Sequence, residues 1–187
     1  TLLGSFLTDE SFDQVSLAEV WATRFPTAPE PPKPGTPFLV FLWEGNLTAG
    51  QFPAAVARGT SPGGRFFDSL WPQASRKRIE SYMVTLLYKA LQALLYLHSA
   101  GLVHRSIGTS SLMVNTVDDR MASNLVVKLR DFGFCKPTSA LIGGDDLTRA
   151  RKAGASAPSE ISNFFFSEDI YSLGYTFCEL VFSSLVA

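Results

Sequence analysis

The residues able to do chemistry sit in one stretch: His104, Arg105 and Ser106, then Gly108 and Ser111, with Asp131 following 25 positions after Ser106. Asp131 is a carboxylate, and carboxylates are hard oxygen ligands for Mg²⁺ or Ca²⁺. Ser111 offers only a neutral hydroxyl, a much poorer second ligand for such a cation. Ser106 cannot accept a proton near neutral pH as a carboxylate can. Gly108 brings no charge at all. The stretch therefore holds one good cation ligand, Asp131, with neutral residues at 106, 108 and 111.

Such residues need elements to position them. Glu80–Ser99 reads as a helix, with Ser81, Thr85, Lys89 and Gln92 as one polar stripe. Met83, Leu86, Leu87, Ala90, Leu91, Leu94 and Leu95 fill its other faces, and Gly101 suits a left-handed stop. His98, near its end, reads as packed or hydrogen-bonded rather than as a metal ligand. Ser111–Asn115 and Leu125–Leu129 read as short strands around an insert, Thr116–Asn124. Phe134–Ser159 is glycine-rich and polar, and is expected to be a mobile segment. Asp169–Val186 is expected to be a second helix packed on the first, with Leu91, Leu94, Leu173 and Phe177 buried. Earlier in the chain, Phe38–Trp43 reads as a buried strand, Gln51–Arg58 as a short helix and Gly59–Gly64 as a loop. The proline-rich connector Pro26–Pro37 can be neither helix nor central strand.

The order of motifs resembles the protein kinase superfamily. A helix ending in Leu97-His98 leads to His104-Arg105, then to Asp131-Phe132-Gly133. Ala157-Pro158-Ser159-Glu160 and Asp169-Ile170-Tyr171-Ser172-Leu173-Gly174 follow in the same order. The kinase patterns are H-R-D-L-x-x-x-N, D-F-G and A-P-E. Any one match is weak, but the ordered set covers residues 80–187. The resemblance implies an α+β, kinase-like fold, with a reduced β-rich N-lobe over residues 1–45 and a truncated, mainly helical C-lobe over 46–187. Upstream, Thr8–Glu19 loosely resembles the glycine-rich phosphate loop. Its three glycine positions hold Thr8, Glu10 and Asp13, which obstruct or repel phosphate. The only lysine before residue 77 is Lys33, set between prolines, so the phosphate-anchoring lysine has no candidate. Only 22 residues separate Val15 from Phe38, too few for the lysine-bearing strand, a full helix and the next strand. The strand before Glu44-Gly45 also bears a narrower resemblance to the plant and algal thylakoid state-transition kinases.

In that frame Ser106 replaces the proton-accepting Asp, Gly108 a charge-neutralising Lys, and Ser111 the metal-binding Asn. The resemblance implies a degenerate member, a pseudokinase, whose Asp131 is a remnant metal ligand. Val15 and Met113 would line an adenine pocket. His104 and Phe132 would join an apolar column, and Asp169 would hold the loop backbone through N–H bonds. Arg105 would anchor the mobile segment against Asp145 or Asp146. Gly133 belongs to the D-F-G turn, and Glu160 would lack the arginine that usually pairs with it. No cofactor is expected, or at most weakly bound Mg-ATP. The expected role is a scaffold, regulatory or assembly subunit. The alternative is an atypical active Ser/Thr kinase that phosphorylates proteins with Mg-ATP.

Composition bounds the partners. Hydrophobic residues make up 46% of the 187 residues and charged ones 18%, enough for a sizeable core. The net charge of −1 gives no overall argument for nucleic acid or a membrane surface. Charge is uneven, with 12 basic and 7 acidic side chains over residues 71–160, read here as a solvated face. Cys135 and Cys178 do not form a disulfide framework, so a reducing intracellular compartment is expected, with a plastid implied only by the narrower resemblance. Ile170–Ala187 contains Glu179 and reads as a buried rather than a membrane helix. Its outer face is expected to be covered by further chain or by a protein partner.

Overall fold

A computed structural model describes residues 2–7, 23, 33, 35, 37–41, 47–59 and 72–186. The chain divides into two compact units, Thr1–Glu44 and Gly45–Ala187. In the first, strands β1 (Leu2–Leu7) and β2 (Pro37–Phe41) pair antiparallel, with Leu7 opposite Pro37 and Leu2 opposite Phe41. Proline at the first position of β2 needs no ladder donor there. Strand β1 went unpredicted, because a six-residue apolar start carries no turn signal to set it off. Val15, Thr8, Glu10 and Asp13 lie outside the described residues.

The second unit is built on two long helices. A 3₁₀ turn, Ala49–Gln51, leads into α1 (Phe52–Arg58), and α2 spans Pro72–Ser99. Helix α2 begins eight residues before the expected Glu80. Its first turns read Pro-Gln-Ala-Ser-Arg-Lys-Arg, good helix formers behind a proline but with no apolar stripe to mark them. Gly101 ends it at φ 71°, in the left-handed region. Tyr82, Met83, Leu86, Ala90, Leu94 and Leu97 face the core, with Phe52 stacked on Tyr82 at a ring-centroid distance of 4.1 Å. Leu91 does not join them. It is 40% exposed, on an outer stripe with Val84, Tyr88 and Leu95. Phe177 is half-buried against the core rather than buried.

Strands β3 (Leu102–Val103) and β6 (Lys136–Pro137) pair antiparallel, as do β4 (Leu112–Val114) and β5 (Val127–Leu129). The latter pair is shorter than expected at both strands. Residues 119–124 of the insert form 3₁₀ turns. The stretch expected to be mobile holds ordered elements: 3₁₀ turns at Phe132–Phe134 and Thr138–Leu141, then α3 (Gly144–Lys152). Leu141, Ala150, Ile161 and Phe165 form a second buried cluster with Val103 beneath it.

Helix α4 runs unbroken over Pro158–Val186, eleven residues longer at its start than expected. Its start explains why. Glu160 accepts hydrogen bonds from the Ser156 and Ala157 amides at 2.7 and 2.9 Å, satisfying two donors at the helix entrance. This is half of a capping box, the other half missing because alanine stands at the cap. Ala157→Ser supplies that half and should stabilise the fold by about 0.5–1 kcal/mol in thermal melts. The two amide bonds also lower the Glu160 pKa. A depressed carboxylate stabilises above its unfolded pKa and loses that contribution as pH falls through the folded one. Acid titration of helicity should therefore fray α4's first turn as pH falls through the lowered Glu160 pKa, and Glu160→Gln should remove the dependence.

Candidate functional site: a loop whose titratable groups are committed

Helix α2 delivers the chain through β3 into the loop 104–111, and α4 crosses behind it. Asp169 on α4 is 2% exposed and organises the loop. Its Oδ1 accepts from the Arg105 amide at 2.8 Å. Its Oδ2 accepts from the His104 amide at 2.7 Å and lies 2.9 Å from His98 Nε2. His98 also stacks on Phe166, centroids 4.3 Å apart. Arg105 sits at φ 68°, a left-handed conformation that non-glycine residues rarely adopt, held by this carboxylate.

His104 is fully buried, and both ring nitrogens are engaged. Nε2 lies 2.9 Å from the Arg130 carbonyl, which can only accept, so Nε2 carries the proton. Nδ1 then accepts from the Ser106 amide at 3.3 Å. Phe132 lies 5.2 Å from the His104 ring, centroid to centroid, although its outer side is exposed. Ser106 itself is exposed.

Ser111 is buried, its hydroxyl closed back on the loop. Its Oγ accepts from the Gly108 amide and donates to the Gly108 carbonyl, both at 2.8 Å. Asp131, at φ 66°, opens the Asp-Phe-Gly turn, and its exposed carboxylate is held at 3.1 Å on both oxygens by Nε of Arg130. Arg130 escaped notice in the sequence, where it was one strand-end cation among several. Met113 is half-buried on β4, opposite Lys128 and bridged to Thr48. Gly133 lies in an exposed 3₁₀ turn, and no atom would meet a Cβ placed there.

Asp146, rather than Asp145, is the partner of Arg105, at 2.9 Å. It also holds Lys136 at 3.1 Å, so one carboxylate ties loop, β6 and α3 together. Glu160 lies outside this cluster, occupied at the start of α4. Among the described residues no three histidine, cysteine, aspartate or glutamate side chains gather to hold a metal ion.

Comparison with known proteins places the chain beside kinases. It is 34% identical over 113 residues to a probable myosin light chain kinase of Dictyostelium discoideum, covering 59% of this chain and 32% of that protein. It is 30% identical over 105 residues to the mitogen-activated protein kinase p38a of Drosophila melanogaster, covering 54% and 26%. The serine/threonine-protein kinase PAK mbt of the same fly is 32% identical over 108 residues, covering 54% and 15%. The matched stretch is similar to protein kinases. No family model matches it. Over the matched stretches it spans a third or less of these relatives' length. The chain's mix of long helices and small sheets agrees with a partial kinase-like fold. None of its described helices is long and apolar enough to cross a membrane.

Proposed function

We propose that this kinase-like domain is catalytically silent and acts as a scaffold, regulatory or assembly subunit through protein contacts. One observation carries the reading: the titratable groups of the loop are already spent on structure. His104 uses both nitrogens, Asp169 both oxygens, and Asp131 faces Arg130 with both oxygens. Ser106 thus has no base in His104, and it is no base itself. Ser111 would have to give up two loop bonds to face a cation. Asp131 is the one carboxylate of this set that could hold a magnesium ion, and the exposed Arg130 pair competes for it. Phosphoryl transfer depends on positioning and on charge stabilisation at the transferring phosphate. With the base, the neutralising lysine and the second ligand replaced together, no useful rate remains.

The partner half of the proposal draws on α4. Tyr171, Tyr175, Phe182 and Leu185 stand exposed along one side of it, opposite buried Leu173 and Leu180. An apolar stripe of this length is a surface for covering, by protein rather than by water. With [γ-³²P]ATP and Mg²⁺, transfer to the chain itself or to a generic substrate protein should stay at background. Transfer that Asp131→Ala abolishes would instead establish the alternative, an atypical active Ser/Thr kinase.

A further inference from the structure

The insert takes no part in the loop, yet it is built with care. Tyr82 donates to the Thr116 carbonyl at 2.7 Å. Asn115 closes the insert's base, its Nδ2 donating to the Asn124 carbonyl at 3.0 Å and its Oδ1 accepting from the Val126 amide at 2.8 Å. Asp118 caps the turn by accepting from the Arg120 amide, and Ala122 and Leu125 anchor it in the core. Asp119 is buried and meets Nε of Arg78 at 3.2 Å, which fastens the insert to α2.

Between the two lies a shallow groove of about 390 Å³. Among the described lining residues, Lys77, Arg78 and Arg120 bring positive charge against the one carboxylate of Asp119. Exposed Ser81 and Ser123 add hydroxyl donors. We infer that this groove docks an acidic peptide segment of a partner protein. Charge complementarity names the occupant: carboxylates match fixed cations and hydroxyls, and the insert is preorganised, so little ordering is lost on docking. Among the described residues no aromatic side chain lines the groove to stack a base, and the whole chain is slightly acidic, which argues against a nucleic acid strand. The inference supplies the chemistry of the partner in the scaffold reading, but does not depend on the loop being silent.

The test is fluorescence anisotropy of the full chain with a labelled eight-residue glutamate-rich peptide at low ionic strength. Binding should be saturable and should weaken as salt rises. The charge reversal Lys77→Glu with Arg120→Glu should weaken it at least tenfold. The control reversal Arg151→Glu with Lys152→Glu, at the end of α3, should leave it unchanged. Circular dichroism of both variants checks folding, since all four side chains are exposed. Absent binding, equal loss in both variants, or tighter binding of a single-stranded oligonucleotide of equal charge at the same groove would each overturn the inference. None of these results bears on phosphate transfer, so this test and the kinase assay fail independently.

Discussion

Asp169→Ala should cost about 3–5 kcal/mol of folding stability, the range for removing one partner of a buried, hydrogen-bonded charge. The carboxylate is all but inaccessible and serves the His104 and Arg105 amides and His98. Alanine leaves these donors facing one another without an acceptor, and each unsatisfied buried group costs about 1–3 kcal/mol. Arg105 would also lose the bond that holds its backbone in a left-handed conformation. Asp169→Asn should recover little, because its amide nitrogen brings a donor to a place that needs acceptors. Urea unfolding would show a lower midpoint with an unchanged slope. A loss below about 1 kcal/mol would mean that the loop is held by something other than this side chain.

Tyr82→Ala should be nearly as damaging, about 3–5 kcal/mol, as for other large aromatic truncations. Tyr82 is fully buried, stacked flat on Phe52, and its hydroxyl holds the Thr116 carbonyl. Burial raises its phenol pKa above the usual range, so the hydroxyl stays a donor at any pH the fold survives. Tyr82→Phe separates the two roles. It keeps the stack and leaves one carbonyl unpaired, costing about 1–3 kcal/mol. Hydrogen exchange in Tyr82→Phe should quicken over residues 116–124 before the rest of the unit. Uniform quickening would show that the hydroxyl does not pin the insert.

The relation between Asp169 and the loop was legible in the sequence through the motif resemblance, which implies a carboxylate on the loop backbone. The same holds for the apolar core face of α2, where a 3.6-residue period is plain in Met83, Leu86, Ala90 and Leu94. Leu91 misled because α2 is apolar on more than one face, so periodicity alone does not say which face is covered. The early starts of α2 and α4 were hidden for a different reason: capping and propensity decide them, not burial. Arg130 was unreadable, since nothing in a strand-end arginine announces that its Nε will turn onto the next residue's carboxylate. Ser111 shows the limit of motif reading: the sequence supplies a hydroxyl, and only the fold reveals that Gly108 has taken it.

An unbroken α4 makes a rod. At about 1.5 Å per residue, a helix of 29 residues is roughly 43 Å long. Its first turns are packed in the cluster around Phe165 and its last in the core around Leu180. A hinge midway would let the two clusters loosen separately. Without one, a push or a twist applied near Glu160 is carried through Asp169 to Ser184, and the loop backbone hangs from the middle of that span. Load placed on either end of α4 therefore reaches the other through the same span.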